Sequence, residues 1–205
     1  MMGYLWLIGF WLLYGVIHSL FAANWMKQFF LNHTGKWYKY YRLTYTTLAT
    51  VLLIPILWYQ STLPQKILFQ QQAVTVFAGI SLATFGIMII KISFGQYDMK
   101  EFLGLQQAEG DQGVQPMTTR GMLSIVRHPL YAGSIMAILG YLIFAPTLAN
   151  LVMAICLIAY FIVGIYFEEK KLVLEFGEQY LKYKEQIPAL IPGWKKIYRD
   201  HKIRK

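Results

Sequence analysis

Five stretches of the chain, roughly residues 3–23, 43–60, 73–92, 131–146 and 149–167, carry one charged side chain between them, Lys91. A helix that crosses a bilayer needs about 20 mostly apolar residues. Inside the hydrocarbon, each backbone polar group must be satisfied within helices or closed barrels. The pattern therefore predicts an all-α, polytopic membrane protein with about five transmembrane helices. Composition agrees. The chain is 57% hydrophobic and only 14% charged, where a soluble domain carries about 25% charged residues. No carboxylate side chain occurs before Asp98. The first apolar run lacks a basic leader and is too long for the core of a cleaved signal, so it reads as a retained helix.

The fourth and fifth stretches are separated only by "APTLAN", residues 145–150. Pro146 and Asn150 are turn formers, so a tight antiparallel hairpin is expected. Its first arm is short, about 15 residues or ~22 Å. Basic residues set the orientation. Lys27, Lys36, Lys39 and Arg42 follow the first stretch, Lys66 alone follows the second, and Lys91, Lys100, Arg120 and Arg127 follow the third. The hairpin turn has none, and ten lie in the C-terminal part. That alternation predicts the N-terminus outside and the C-terminus on the cytoplasmic side. Residues 95–126 form a long connector, and long structured connectors are commonly functional or disordered. Residues 170–186 predict an amphipathic helix, with Leu172, Phe176, Tyr180 and Tyr183 on one face and Pro188 beyond its end. Trp194 reads as a headgroup-level anchor.

The formal charge of +9 does not point to nucleic acid. The cations flank apolar segments, where they attract anionic lipid headgroups, so the lipid bilayer is the expected partner. Cys156 is the single cysteine, and the four histidines are scattered. No zinc-like spacing exists, so no protein-bound metal is expected.

The chemistry concentrates at the base of the expected hairpin. Arg127, His128 and Tyr131 stand at the start of the fourth stretch, and Glu168 and Glu169 at the end of the fifth. Antiparallel arms bring these ends to one membrane face. Arg127 and His128 can face a carboxylate, and the glutamates can accept from ammonium or hydroxyl groups. Gly133, Ala137 and Gly140 give the fourth stretch a small face that admits a helix or a ligand closely. Alone, Arg, Tyr and Glu at helix ends also serve as interfacial anchors. Carboxylates at a helix C-terminus oppose the helix dipole and need a compensating cation or ligand. His18 lies inside the first stretch, where an ionisable residue is either a substrate-pocket group or a neutral histidine bonded to another helix. Asp98 and Glu101, just past the third stretch, read either as residues that close over the pocket or, more simply, as solvated loop charges.

"RGMLSIVRHPLYAG" (120–133) and "FEEKKLVLEFGEQYLKYKEQIPALIP" (167–192) together resemble the isoprenylcysteine carboxyl methyltransferase and phospholipid methyltransferase superfamily. That superfamily pairs an R-H-P-x-Y motif with an E-E-x-x-L element and a proline-bearing tail. "GVIHSLFAA", "YYRLTY" and "YDMKEFLGLQQ" resemble its branch of nurim-like proteins and methanethiol S-methyltransferases. The resemblance implies one integral membrane domain over 1–205, with three helices in 1–94 and the cofactor-binding connector, hairpin and amphipathic helix in 95–205. It implies an enzyme using S-adenosylmethionine. Carried over by position, the cofactor contacts are Gln115, Pro116, Met117, Thr118, Arg127, His128, Pro129, Leu130, Tyr131, Glu168 and Glu169, with His128, Tyr131 and Glu168 at the reacting centre. Two positions depart from the pattern. Leu123 replaces an aromatic residue, and Gly164 stands where isoprenylcysteine enzymes carry a substrate-side arginine. The second argues against an isoprenylcysteine carboxylate as acceptor.

Methyl transfer from a sulfonium needs no metal. The protein must hold nucleophile and methyl carbon about 3–3.5 Å apart and exclude water. A small thiol, a lipid headgroup amine and a prenylated molecule remain as acceptors; an amine or hydroxyl would need a base. Membrane sterol reductases using NADPH share a related motif, but with Asn where Leu130 stands. A nurim-like protein without enzymatic activity is the third expectation.

Overall fold

A computed structural model describes residues 1–95 and 117–193. Gln115, Pro116, Asp98, Glu101 and Trp194 lie outside the described residues. Among those described, the secondary structure is helical, with one isolated β-bridge between Ile67 and Thr147. The helices are α1 (Met2–Ala22), α2 (Asn24–Thr34), α3 (Tyr41–Thr62), α4 (Ala73–Phe94), α5 (Pro129–Phe144), α6 (Leu148–Phe176) and α7 (Glu178–Gln186). Four helical segments are long and apolar enough to cross a membrane: α1, α4, α6 and the one containing α3. α5 is apolar but shorter.

Two differences from the sequence reading have local causes. The cation-bearing stretch between the first two apolar runs reads only as a connection, yet Asn24–Thr34 forms α2 and Gly35–Tyr40 a 3-10 turn. The aromatic residues there explain it: Phe30 packs on Phe21 and Tyr41, and the Tyr41 hydroxyl donates to the Phe21 carbonyl at 2.6 Å. The fifth apolar stretch and the expected 170–186 helix do not divide at residue 170. α6 runs on to Phe176, and the chain breaks only at Gly177, whose φ of +55° suits glycine.

The chain forms two compact units; residues 145–160 belong to the first and residues from 161 on to the second. In the first unit, Tyr4, Leu7 and Trp11 recur along one face of α1 and pack with Ile56, Leu63, Ala149 and Met153. On the other faces Leu5, Trp6, Leu12, Leu13 and Val16 are exposed. So broad an apolar surface suits lipid better than water. The Tyr4 hydroxyl donates to the Pro64 carbonyl at 2.6 Å. Buried Gln60 and Asn150 satisfy each other at 2.9 Å, and the Asn150 amide also closes the α5–α6 turn onto the Ala145 carbonyl. Leu68 and Leu148 donate their backbone N–H groups to Pro146 and Lys66, tying this turn to the loop after α3.

In the second unit, α4 and α5 approach until their backbones touch. The small face formed by Gly133, Ala137 and Gly140 meets Gly79, Ala83 and Gly86 of α4. A Cβ on Gly86 would lie 2.5 Å from the Gly133 carbonyl oxygen. Of the two occupants the small face admits, a helix takes it.

Candidate functional site

α5 starts where the chain's φ is already set for it. Pro129 is its first residue, a position where the missing N–H is no loss. That fixes Arg127 and His128 just before the helix and Tyr131 in its first turn. At 1.5 Å per residue, Leu148–Phe167 of α6 spans about 30 Å, the thickness of the hydrocarbon core. The following turns, with Glu168, Glu169, Lys170, Lys171 and Glu175, extend past that apolar part.

The second unit brings these ends together. Arg127 and Glu169 form a buried pair, with Nε at 2.9 Å and Nη2 at 2.5 Å from Oε1. His128 is 4% exposed, and its Nε2 lies 3.2 Å from the same Oε1. Its Nδ1 faces Glu168 Oε2 at 4.0 Å. The Tyr131 ring packs edge-on between His128 and Phe161, at 5.8 and 5.5 Å between centroids. A Cβ on Gly164 would lie 3.5 Å from the Tyr131 hydroxyl.

The C-terminal segment completes the cluster. Lys184 Nζ lies 2.6 Å from Glu169 Oε2. Arg127 Nη1 donates to the carbonyls of Lys184 and Ile187. The backbone N–H groups of Arg127 and His128 donate to Pro188 and Ala189 at 2.9 and 3.0 Å. The Tyr183 hydroxyl donates to the Leu123 carbonyl at 2.6 Å. So the proline-bearing tail is stitched onto the R-H-P-x-Y segment mainly through backbone atoms. Lys184 and Tyr180 were not singled out in the sequence for this role. Nothing in the alternation of Lys and Glu separates Lys184 from the exposed Lys182.

The two glutamates differ. Burial alone would raise the Glu169 pKa, but hydrogen bonds from Lys184, Arg127 and His128 outweigh it and hold the carboxyl at about 2. An ionised carboxylate only accepts hydrogen bonds, so His128 must carry a hydrogen on Nε2, and Nδ1 is the ring atom turned to Glu168. Glu168 keeps a side chain 44% exposed, available to a ligand. Tyr180, 2% exposed, has its phenol pushed up to about 12 by burial and then by the Glu169 charge, with Arg127 pulling the other way.

Glu169 predicts an acid response. Its folded pKa lies below the ordinary 4.5, so the stability it contributes is fully present above about pH 4.5 and is lost as pH falls toward 2. Thermal midpoints measured from pH 6 to pH 2.5 should fall through this window. In Glu169→Gln that part of the slope should vanish, with the midpoint already lower at pH 6.

Of the other expected site residues, Pro129 is buried and Leu130 half-buried beside His128, while Met117 is half-buried and Thr118 exposed. His18 makes a cluster of its own in the first unit. Its Nδ1 is 2.8 Å from the Tyr160 hydroxyl, and the rings of Tyr14, Tyr45 and Tyr160 surround it at 6.0–6.1 Å.

The chain is 28% identical over 190 residues to methanethiol S-methyltransferase 2 of Bradyrhizobium diazoefficiens, covering 88% of this chain and 70% of the relative. Methanethiol S-methyltransferase 1 of the same organism is 28% identical over 191 residues, 90% of this chain and 65% of the relative. Methanethiol S-methyltransferase of Mycobacterium tuberculosis is 27% identical over 184 residues, 87% and 74% respectively. The chain thus spans roughly two thirds to three quarters of these relatives' lengths. No solved structure matches it significantly. The family model for phospholipid methyltransferases matches residues 74–179. That is just over half of the chain, and it takes in α4, α5 and α6 with both motifs. On that match, running through the helices that bring His128 to Glu168 and Glu169, the chain belongs to the phospholipid methyltransferase family.

Proposed function

We propose that the protein is a membrane-embedded, S-adenosylmethionine-dependent methyltransferase whose acceptor is a small thiol of the methanethiol class, with the site at the cytoplasmic face. The observation that carries this reading is the pairing of a buried His128 with a half-exposed Glu168 beside Tyr131. The donor set fits the cofactor. Its sulfonium and ammonium are cationic, and its ribose hydroxyls need acceptors; Glu168, the Tyr131 ring face and His128 Nδ1 are electron-rich. The relatives named above are methanethiol S-methyltransferases, which supports a small thiol.

When bound, the cofactor supplies a methyl group already activated on sulfur. Glu168 and His128 would hold it, and Tyr131 with Phe161 forms the apolar wall that keeps water away. A small thiol is mostly protonated at neutral pH, and its thiolate is the nucleophile. With Nε2–H committed to Glu169, Nδ1 is the His128 atom that can take the thiol proton. Gly164 places no side chain beside Tyr131, and therefore no cation for an acceptor carboxylate.

Calorimetric titration of the solubilised protein with S-adenosylhomocysteine and, separately, with NADPH checks the reading. Micromolar binding of the first and none of the second is expected. Binding of NADPH alone would overturn it in favour of a reductase. Binding of neither would favour a protein without this chemistry.

A further inference from the structure

The proposed chemistry makes no direct use of α7, yet this helix delivers Lys184 to the carboxylate that orients His128. The two oxygens of Glu169 are used unequally. Oε1 serves both Arg127 and His128, while Oε2 is held by Lys184 at 2.6 Å. A carboxylate beside an arginine prefers a two-pronged pair, one oxygen on each nitrogen. Here that pairing is not made, because Lys184 keeps Oε2 turned away from the guanidinium. The Lys184 backbone is itself held by Arg127, whose Nη1 donates to the Lys184 carbonyl at 3.0 Å as well as to the Ile187 carbonyl. One turn earlier on the same face, the Tyr180 hydroxyl is buried with no hydrogen-bond partner in good geometry, so no other side chain of α7 substitutes for Lys184 at Glu169.

We infer that Lys184 is a positioning residue: it pins Glu169 Oε2 so that Oε1 stays on His128 Nε2, which keeps Nδ1 as the ring atom offered to the ligand. The inference rests on the proposed role of His128. Without Lys184, the carboxylate rotates into a two-pronged pair with Arg127, and the imidazole loses the acceptor that selects its tautomer. The groups facing Glu169 are Arg127 and His128 from the start of α5, Lys184 and Tyr180 from α7, and Glu168 beside it on α6.

The test uses the full chain in detergent with Lys184→Met, Lys184→Arg and the exposed control Lys182→Met. Imidazole nitrogen-15 signals of His128, assigned by their loss in His128→Asn, report the tautomer; S-adenosylhomocysteine titration reports binding. The wild type should show the Nε2–H form. Lys184→Met should mix the two tautomers and weaken binding about tenfold, while Lys184→Arg and Lys182→Met stay within about threefold of wild type. If Lys184→Met does not fold, Lys184→Gln carries the same readout. An unchanged tautomer pattern in the variant overturns the inference, as does an arginine variant no better than methionine. A wild type that binds no S-adenosylhomocysteine, but whose tautomer still responds to Lys184, sinks the proposed function and leaves the positioning role standing.

Discussion

Gly140→Val or Gly86→Val should cost the protein its folded state. A Cβ at Gly86 meets the Gly133 carbonyl oxygen at 2.5 Å and the Ala137 backbone nitrogen at 2.6 Å. One at Gly140 overlaps the backbone of Ala83. These are backbone atoms, which no rotamer change can move aside. The helices must separate, and overpacking of a closed interface costs about 1–3 kcal/mol or more. Here the dispersion contacts along the whole α4–α5 seam go with it, so about 3 kcal/mol is the expected lower end. Gly9→Val is the control: a Cβ there meets nothing within 4 Å, and a change within about 0.5 kcal/mol is expected. Thermal unfolding in one detergent decides it. If Gly86→Val and Gly9→Val melt alike, the close approach of α4 and α5 is wrong.

The second large effect separates two adjacent glutamates. Glu168→Gln should weaken S-adenosylhomocysteine binding by ten- to a hundredfold, the range for losing a charge-assisted hydrogen bond of about 1.5–3 kcal/mol. It should leave the thermal midpoint nearly unchanged, because that side chain is 44% exposed. Glu169→Gln should act chiefly on stability. It removes the counter-charge of Arg127, whose side chain is only 8% exposed, and breaking a buried pair on one side costs about 3–5 kcal/mol. Binding and melting measured on the same two preparations test the division. Equal losses of stability in both variants would merge the two roles, and unchanged binding in Glu168→Gln would remove Glu168 from the ligand.

Much of the site was legible because both motifs are local. Arg127, His128 and Tyr131 lie within five residues, Glu168 and Glu169 are neighbours, and apolar lengths on either side decide which ends of α5 and α6 carry them. Lys184 was not legible. It sits among Lys and Glu residues that read as a solvated face, and only the path of the chain after Gly177 turns it toward Glu169. The α2 helix was missed for a related reason: its stability comes from Phe30 and Tyr41 packing, not from a long apolar run.

By itself, then, the sequence determined what depends on spacing along the chain. Apolar length specified the long helices, the lack of early carboxylates matched an apolar surrounding, and the two motifs named the residues of the proposed site. The tertiary structure decided what depends on which atom meets which. It set Glu169 under two cations and the His128 ring and left Glu168 open, it gave Nε2 of His128 to Glu169, and it used the glycines of α5 for a helix instead of a ligand. The physical reason is that hydrophobic periodicity acts over many residues and survives averaging, whereas the role of a carboxylate such as Glu169 is settled by contacts of about 3 Å with partners about forty residues away.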